Sequence, residues 1–123
     1  MKIITLIGSS TQRKEFEKQI ERLVLANYCP LSIGIYLGDK IKNYNDENEL
    51  KNKLRKAHRQ RIDLGEIIGI IRKSDGSIGS DTLDEIIYAH SQSKLIKYAE
   101  DIIYNGIKRY IQKTKNHTRK SKC

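Results

Sequence analysis

The sequence predicts an α/β fold: a doubly wound, all-parallel sheet with helices on both faces. Two observations carry this. Apolar, β-branched runs at residues 2–7 and 66–72 alternate with stretches whose apolar residues recur every three or four positions. The second run, Glu66-Ile67-Ile68-Gly69-Ile70-Ile71-Arg72, has no polar alternation, so both of its faces are covered, as in a central parallel strand. The resulting order β-α-β-α-β-α-β-α implies right-handed crossovers. The expectation is a flavodoxin-like (Rossmann-like) three-layer sandwich of four to five parallel strands in the order 2-1-3-4.

The elements follow in turn. Residues 2–7 read as a first strand closed by Gly8-Ser9-Ser10. Residues 11–28 read as an amphipathic helix carrying Phe16, Ile20, Leu23 and Val24. Pro30 restarts the chain, and 31–37 reads as the second strand. Residues 38–48 are polar and rich in glycine and asparagine, a loop long enough to act as a lid. A helix is expected over 47–64, with Leu50, Leu54, Ala57, Ile62 and Leu64 as its apolar stripe. The third strand spans 66–72, the next helix 81–92, a short fourth strand 94–98, and a closing helix 100 to about 113. This gives one domain over residues 1–113 and a basic tail over 114–123.

The bulk numbers narrow the function. The chain has 123 residues, with 37% hydrophobic and 32% charged content, as expected of a soluble domain with a charged surface. No apolar stretch approaches the length of a membrane span, and the first residues read as a strand rather than a signal peptide. Two cysteines, Cys29 and Cys123, form neither a disulfide framework nor a metal spacing, which fits a reducing cytoplasm. The net charge is +9, but Lys108, Arg109, Lys113, Lys115, Arg119, Lys120 and Lys122 lie together near the end with no acid among them. The body of the domain is therefore nearly balanced, and the basic excess belongs to a segment usually solvated. Nucleic-acid binding through this tail is a minor alternative, because no binding motif or interleaved aromatic accompanies it.

The two loops expected at the carboxyl edge of the sheet concentrate the small and polar residues. In an open α/β sheet, ligands bind there, at the point where the strand order reverses. The first loop is Gly8-Ser9-Ser10-Thr11. Gly8 permits close approach of a ligand to the backbone, the hydroxyls suit phosphate or sugar oxygens, and Arg13 offers a bidentate guanidinium. The structural alternative is that Ser10 or Thr11 caps the first helix. The second loop, Gly76-Ser77-Ile78-Gly79-Ser80-Asp81, leads into a helix bearing Glu85 one turn in. A carboxylate near a helix N-terminus is held as an anion. Its structural alternative is the capping box Thr82-Leu83-Asp84-Glu85, although Ser80 or Asp81 capping the helix instead leaves Glu85 free. Asp63, at the end of the preceding helix, is expected at the same edge.

Other residues carry weaker signals. Tyr36, near the end of the second strand, is the tyrosine placed in the pocket as a base or ribose contact. His58 lies among Arg55, Arg59 and Arg61 and reads as part of a solvated face. His90 and His117 have no metal-ligand spacing, no Ser/His/Asp arrangement stands out, and neither a metal nor a cofactor is expected.

Three segments together resemble a known family. They are Gly8-Ser9-Ser10-Thr11, Arg59-Gln60-Arg61-Ile62-Asp63-Leu64, and the run Gly76-Ser77-Ile78-Gly79-Ser80-Asp81-Thr82-Leu83-Asp84-Glu85-Ile86-Ile87-Tyr88-Ala89. They resemble the nucleoside 2-deoxyribosyltransferase-like superfamily, in particular small members common in phages and Gram-positive bacteria. The resemblance runs from about residue 2 to 100. It implies a flavodoxin-like sheet and a site in which a glutamate attacks C1′ of a (deoxy)ribosyl group and displaces the base. That glutamate aligns with Glu85, the helix-ending aspartate with Asp63, and the serines of the first loop with Ser9 and Ser10. It also implies a dimer or higher homo-oligomer whose subunits complete the pocket. The sequence departs from the family where small relatives carry an arginine right after the first loop, here Thr11-Gln12, and a glutamate where Ser80 stands.

A retaining glycosyl transfer needs a carboxylate nucleophile and a second acid/base group. Glu85 is the candidate nucleophile, with Asp63 or Asp81 as partner. Gly8, Ser9, Ser10, Arg13, Tyr36, Gly76, Ile78, Gly79 and Ser80 are the candidate ligand contacts. The expected ligand is a nucleoside or nucleotide. The competing expectation is a protein that sequesters a nucleotide-derived signal without turning it over, as a phage protein acting against host defence does.

Overall fold

A computed structural model of the chain describes residues 1–32 and 47–102. Its elements are β1 (Ile3–Gly8), α1 (Arg13–Leu25), β2 (Cys29–Leu31), α2 (Glu47–Leu64), β3 (Ile67–Ile71), α3 (Ser80–Ser91) and β4 (Leu95–Tyr98). Residues 99–102 continue directly from β4 in helical conformation. The four strands form one parallel sheet in the order β2-β1-β3-β4, consistent with a flavodoxin-like fold.

The apolar runs set the layers. Side chains alternate across a strand, so β1 sends Ile4 and Leu6 to one face and Ile7 to the other. Ile4 and Leu6 pack with Phe16 and Leu23 of α1, with Ile67 and Ile71 of β3, and with Ala99 and Ile102. On the opposite face Ile7, Ile68 and Ile70 pack with Ile62 of α2 and Ala89 of α3. Two cores thus flank one sheet, and β3 is buried along its whole length because it contributes to both. Burial of each of the isoleucine, leucine and phenylalanine side chains stabilises the fold by about 1.5–3 kcal/mol.

Polar contacts fix the helices against the sheet. The hydroxyl of the buried Thr5 donates to the Arg61 carbonyl at 2.6 Å, seating the end of α2 on β1. Helix α1 ends with Asn27 at φ 70°, where Tyr28 N–H bonds the Leu23 carbonyl, and α3 ends in the same way at Ser93, φ 58°. Both turns are left-handed C-terminal caps made without glycine.

Three element expectations change. The second strand begins earlier, at Cys29, and contains Pro30; this is permitted because β2 is an edge strand whose missing N–H is not needed by a neighbour. Residues 33–46, which include the rest of that expected strand and most of the lid, lie outside the described residues, as do the closing helix beyond 102 and the basic tail. Ala57 and Leu64 do not join the buried stripe of α2; both are exposed. No helix among the described residues is long and apolar enough to cross a membrane.

Candidate functional site

Register places the ends of β1 and β3 side by side, with Gly8 opposite Ile71. A cleft of about 1040 Å³ opens at this carboxyl edge, at the upper end of the roughly 300–1,000 Å³ typical of small-molecule sites. Its described walls come from the loop after β1 (Gly8, Ser9, Ser10), the inner face of α2, and the start of α3.

The loop after β1 satisfies itself. A side chain at Gly8 would meet the Ile71 carbonyl oxygen at 2.7 Å, so only glycine lets β1 turn out of the sheet here. The Ser9 hydroxyl accepts from Thr11 N–H at 3.3 Å and lies 2.8 Å from the Thr11 hydroxyl. It thereby caps a single 3₁₀ turn over Ser10–Gln12, and α1 begins only at Arg13. The cap is therefore Ser9 rather than Ser10 or Thr11. Arg13 stands on the exposed side of α1 with Glu17 at 3.2 Å and does not line the cleft. The insertion of a 3₁₀ turn before the helix accounts for this displacement.

The loop after β3 is built differently. Asp75 accepts from Ser77 N–H at 2.9 Å and from the Ser77 hydroxyl at 2.6 Å, closing a tight turn in which Gly76 takes φ 84°. The hydroxyl bond and then the backbone bond from Ser77 hold the Asp75 carboxyl below its ordinary range. Gly76 and Ile78 belong to this turn, are exposed, and do not line the cleft. Gly79 and Ser80 do. Gly79 is the N-cap of α3 and makes no side-chain cap bond. The capping box expected between Thr82 and Glu85 is thus absent. The helix starts three residues too early for it, Thr82 turns into the interior at 4% exposure, and Glu85 is released from the helix end.

Glu85 lines the cleft and is largely buried, with 19% side-chain exposure. Its Oε1 lies 3.2 Å from Nδ1 of His58, itself 26% exposed. The angle of approach makes this a close polar contact rather than a hydrogen bond, and both His58 Nδ1 and Glu85 Oε2 are buried without a hydrogen-bond partner among the described residues. Buried polar atoms are nearly always bonded, so an orphaned carboxylate oxygen at a cleft points to a role other than packing.

Asp63 sits one hydrogen bond away from the cleft. Its carboxylate accepts from the Tyr88 hydroxyl at 2.8 Å, and its carbonyl accepts from Lys94 Nζ at 2.6 Å. The bond to Asp63 raises the Tyr88 phenol above its ordinary range, keeping it a donor. Tyr88 lines the cleft, with the Arg59 guanidinium 4.9 Å from its ring centre, whereas Asp63 does not. Asp81 and Asp84 line the cleft and are exposed. Tyr36 falls outside the described residues.

Sequence reading missed the α2 wall: Lys51, Leu54, Arg55, His58 and Arg59 all line the cleft, as do Lys73 and Tyr88. The signal for His58 is present. It occupies the i+4 position in the series Leu50, Leu54, His58, Ile62, the inward stripe of α2. The neighbouring arginines obscured it. Among the described residues no group of three or more His, Cys, Asp or Glu side chains is placed to hold a metal ion.

These features define a doubly wound α/β protein with a mixed-charge cleft at the carboxyl edge of its central strands. Beyond that class, no family model matches the chain, and no curated protein sequence matches it.

Proposed function

We propose that the protein cleaves or transfers at the N-glycosidic bond of a nucleoside or nucleotide, with Glu85 as nucleophile. The observation that carries this reading is the Glu85 carboxylate: it lines the cleft, is mostly withdrawn from water, and has one oxygen with no partner. A desolvated carboxylate with an unoccupied oxygen suits attack on an electrophilic anomeric carbon.

In the first step a Glu85 oxygen bonds to C1′ and the C1′–N bond breaks. Its electron pair leaves with the base, which takes up a proton. In the second step water, or the nitrogen of an acceptor base, bonds to C1′. The carboxylate is released, and the proton lost by the nucleophile passes to a base in the cleft. Asp81 and Asp84 are the acids available there for proton transfer, since Asp63 is engaged outside the cleft. Lys51, Arg55 and Lys73 supply cationic charge on the cleft walls, which favours a ligand bearing phosphate. Ser10 and Ser80, which line the cleft, are the candidate contacts for sugar or phosphate oxygens. A homodimer remains part of this proposal; the exposed Leu83 and Ile87, one turn apart on α3, are the apolar residues a second copy would cover.

Binding without turnover is the second reading, and one observation favours it: the Asp63 carboxylate is committed to Tyr88, which removes one candidate acid from the ligand. Incubation with a panel of ribo- and deoxyribonucleosides and their 5′-monophosphates, followed by chromatography for free base, separates the two. Release of base that disappears in Glu85→Ala supports catalysis. A ligand retained on the protein and recovered intact supports sequestration.

A further inference from the structure

We infer that His58 is a positioning residue that holds the Glu85 carboxylate through Oε1 and leaves Oε2 as the attacking oxygen. This rests on the proposed nucleophilic role of Glu85. The two side chains come from different elements, α2 and α3, and meet because His58 occupies the inward stripe of α2 between Leu54 and Ile62. Their closest atoms are 3.2 Å apart and both side chains are at least three-quarters or nearly so removed from solvent.

Nδ1 and Oε1 are within hydrogen-bond distance although the N–H direction does not meet the carboxylate in this conformation. Positioning through Oε1 therefore requires the Nδ1–H tautomer and a turn of the imidazole ring that brings this N–H onto Oε1. The attacking and departing atoms lie on opposite sides of C1′ in a displacement, so a ring against the nucleophile is on the wrong side to protonate the leaving base. His58 therefore acts through Glu85 and not on the base. Among the described residues, the other charged groups lining the cleft near this contact are Arg55 and Arg59 on α2, Asp81 and Asp84 on α3, and Lys73 from the loop after β3.

The donor has a use in both steps. During attack it keeps the carboxylate from rotating, so Oε2 is presented to C1′ in one orientation. In the glycosyl-enzyme the Glu85 ester carbonyl still faces Nδ1–H, and the donor receives charge as the carboxylate leaves. An error of about 1 Å in placing a reacting group is worth on the order of a hundredfold in rate.

The test compares wild type with His58→Ala and His58→Asn, the latter placing an amide N–H where Nδ1–H stood. Crystal structures of all three report the Glu85 carboxylate directly, and thermal melts confirm folding. The expected result is a Glu85 side chain that swings away in His58→Ala and stays in His58→Asn. With a nucleotide that wild type turns over, kcat falls about 10–100-fold in His58→Ala with KM changed by less than about threefold, and His58→Asn recovers most of it. A carboxylate that does not move in His58→Ala, or a His58→Asn variant as slow as His58→Ala, overturns the inference. A wild type that releases no base defeats the catalytic reading instead, while the crystallographic comparison still decides whether His58 positions Glu85.

Discussion

The loops after β1 and β3 leave the same edge of the sheet with similar small, hydroxyl-rich sequences, yet they do different work. The first turns its polar groups on itself: Ser9 bonds Thr11, and Arg13 pairs with Glu17 on the outer side of α1. The second confines its self-bonding to the Asp75–Ser77 turn, then enters α3 with no side-chain cap and delivers Ser80, Asp81 and Glu85 to the cleft. Composition alone does not separate these outcomes. Which groups retain unsatisfied bonding capacity does, and that depends on where each helix begins: four residues past the Ser9 cap in the first loop, immediately after Gly79 in the second.

The comparison breaks most sharply at Glu85. Glu85→Gln keeps the shape and removes the charge, and base release is expected to fall by about three orders of magnitude or more, measured under single-turnover conditions. Gly8→Ala comes next. Its methyl group would press on the Ile71 carbonyl and on Phe16, so unfolding free energy should drop by about 1–3 kcal/mol in a urea titration, with the cleft distorted. A variant as stable as wild type would show that β1 need not turn at that point.

Smaller effects sharpen the assignment of the two acids. Tyr88→Phe loses the 2.8 Å bond between α2 and α3 and should lower the unfolding temperature slightly, whereas Asp63→Asn keeps an acceptor for Tyr88 and removes only the charge; kcat per folded molecule should change only a few-fold in either. A collapse of kcat in Asp63→Asn at unchanged stability would restore Asp63 to the reacting groups. Ser9→Ala, losing the cap of the 3₁₀ turn, should cost about 1 kcal/mol or less.

The smallest effect is a pH signature. The Asp75 carboxyl titrates below its ordinary value of 3.8 in the folded chain because of Ser77. Its contribution to stability is therefore fully present above that ordinary value and is lost as pH falls through the lower folded one. The stability difference between wild type and Ser77→Ala should persist at neutral pH and shrink on acidification. A difference that grows toward low pH would contradict the Asp75–Ser77 assignment.

Much of the fold was legible because it depends on periodicity. The uninterrupted Ile67–Ile71 run could only be a strand covered on both faces, and the alternation of strand and helix left few strand orders. Position along a helix was harder to read. Pro30 suggested a boundary, but an edge strand accommodates it. Thr82 and Glu85 have capping-box spacing, but the backbone begins the helix at Ser80, so the spacing falls out of phase. His58 was hidden by flanking arginines although its i+4 relation to Leu54 and Ile62 points it inward. Of the candidate site, the two loops and Glu85 were readable from local residue types; the α2 wall was not, because it depends on how α2 rolls against the sheet, which Thr5 and Ile62 decide through long-range contacts.

The most direct measurement is mass spectrometry of the protein quenched during incubation with a deoxynucleoside 5′-monophosphate, with peptide mapping. The account predicts a glycosyl adduct on the peptide containing Glu85, accompanied by free base and absent in Glu85→Gln. Unmodified protein throughout, with the nucleotide recovered whole, would contradict it.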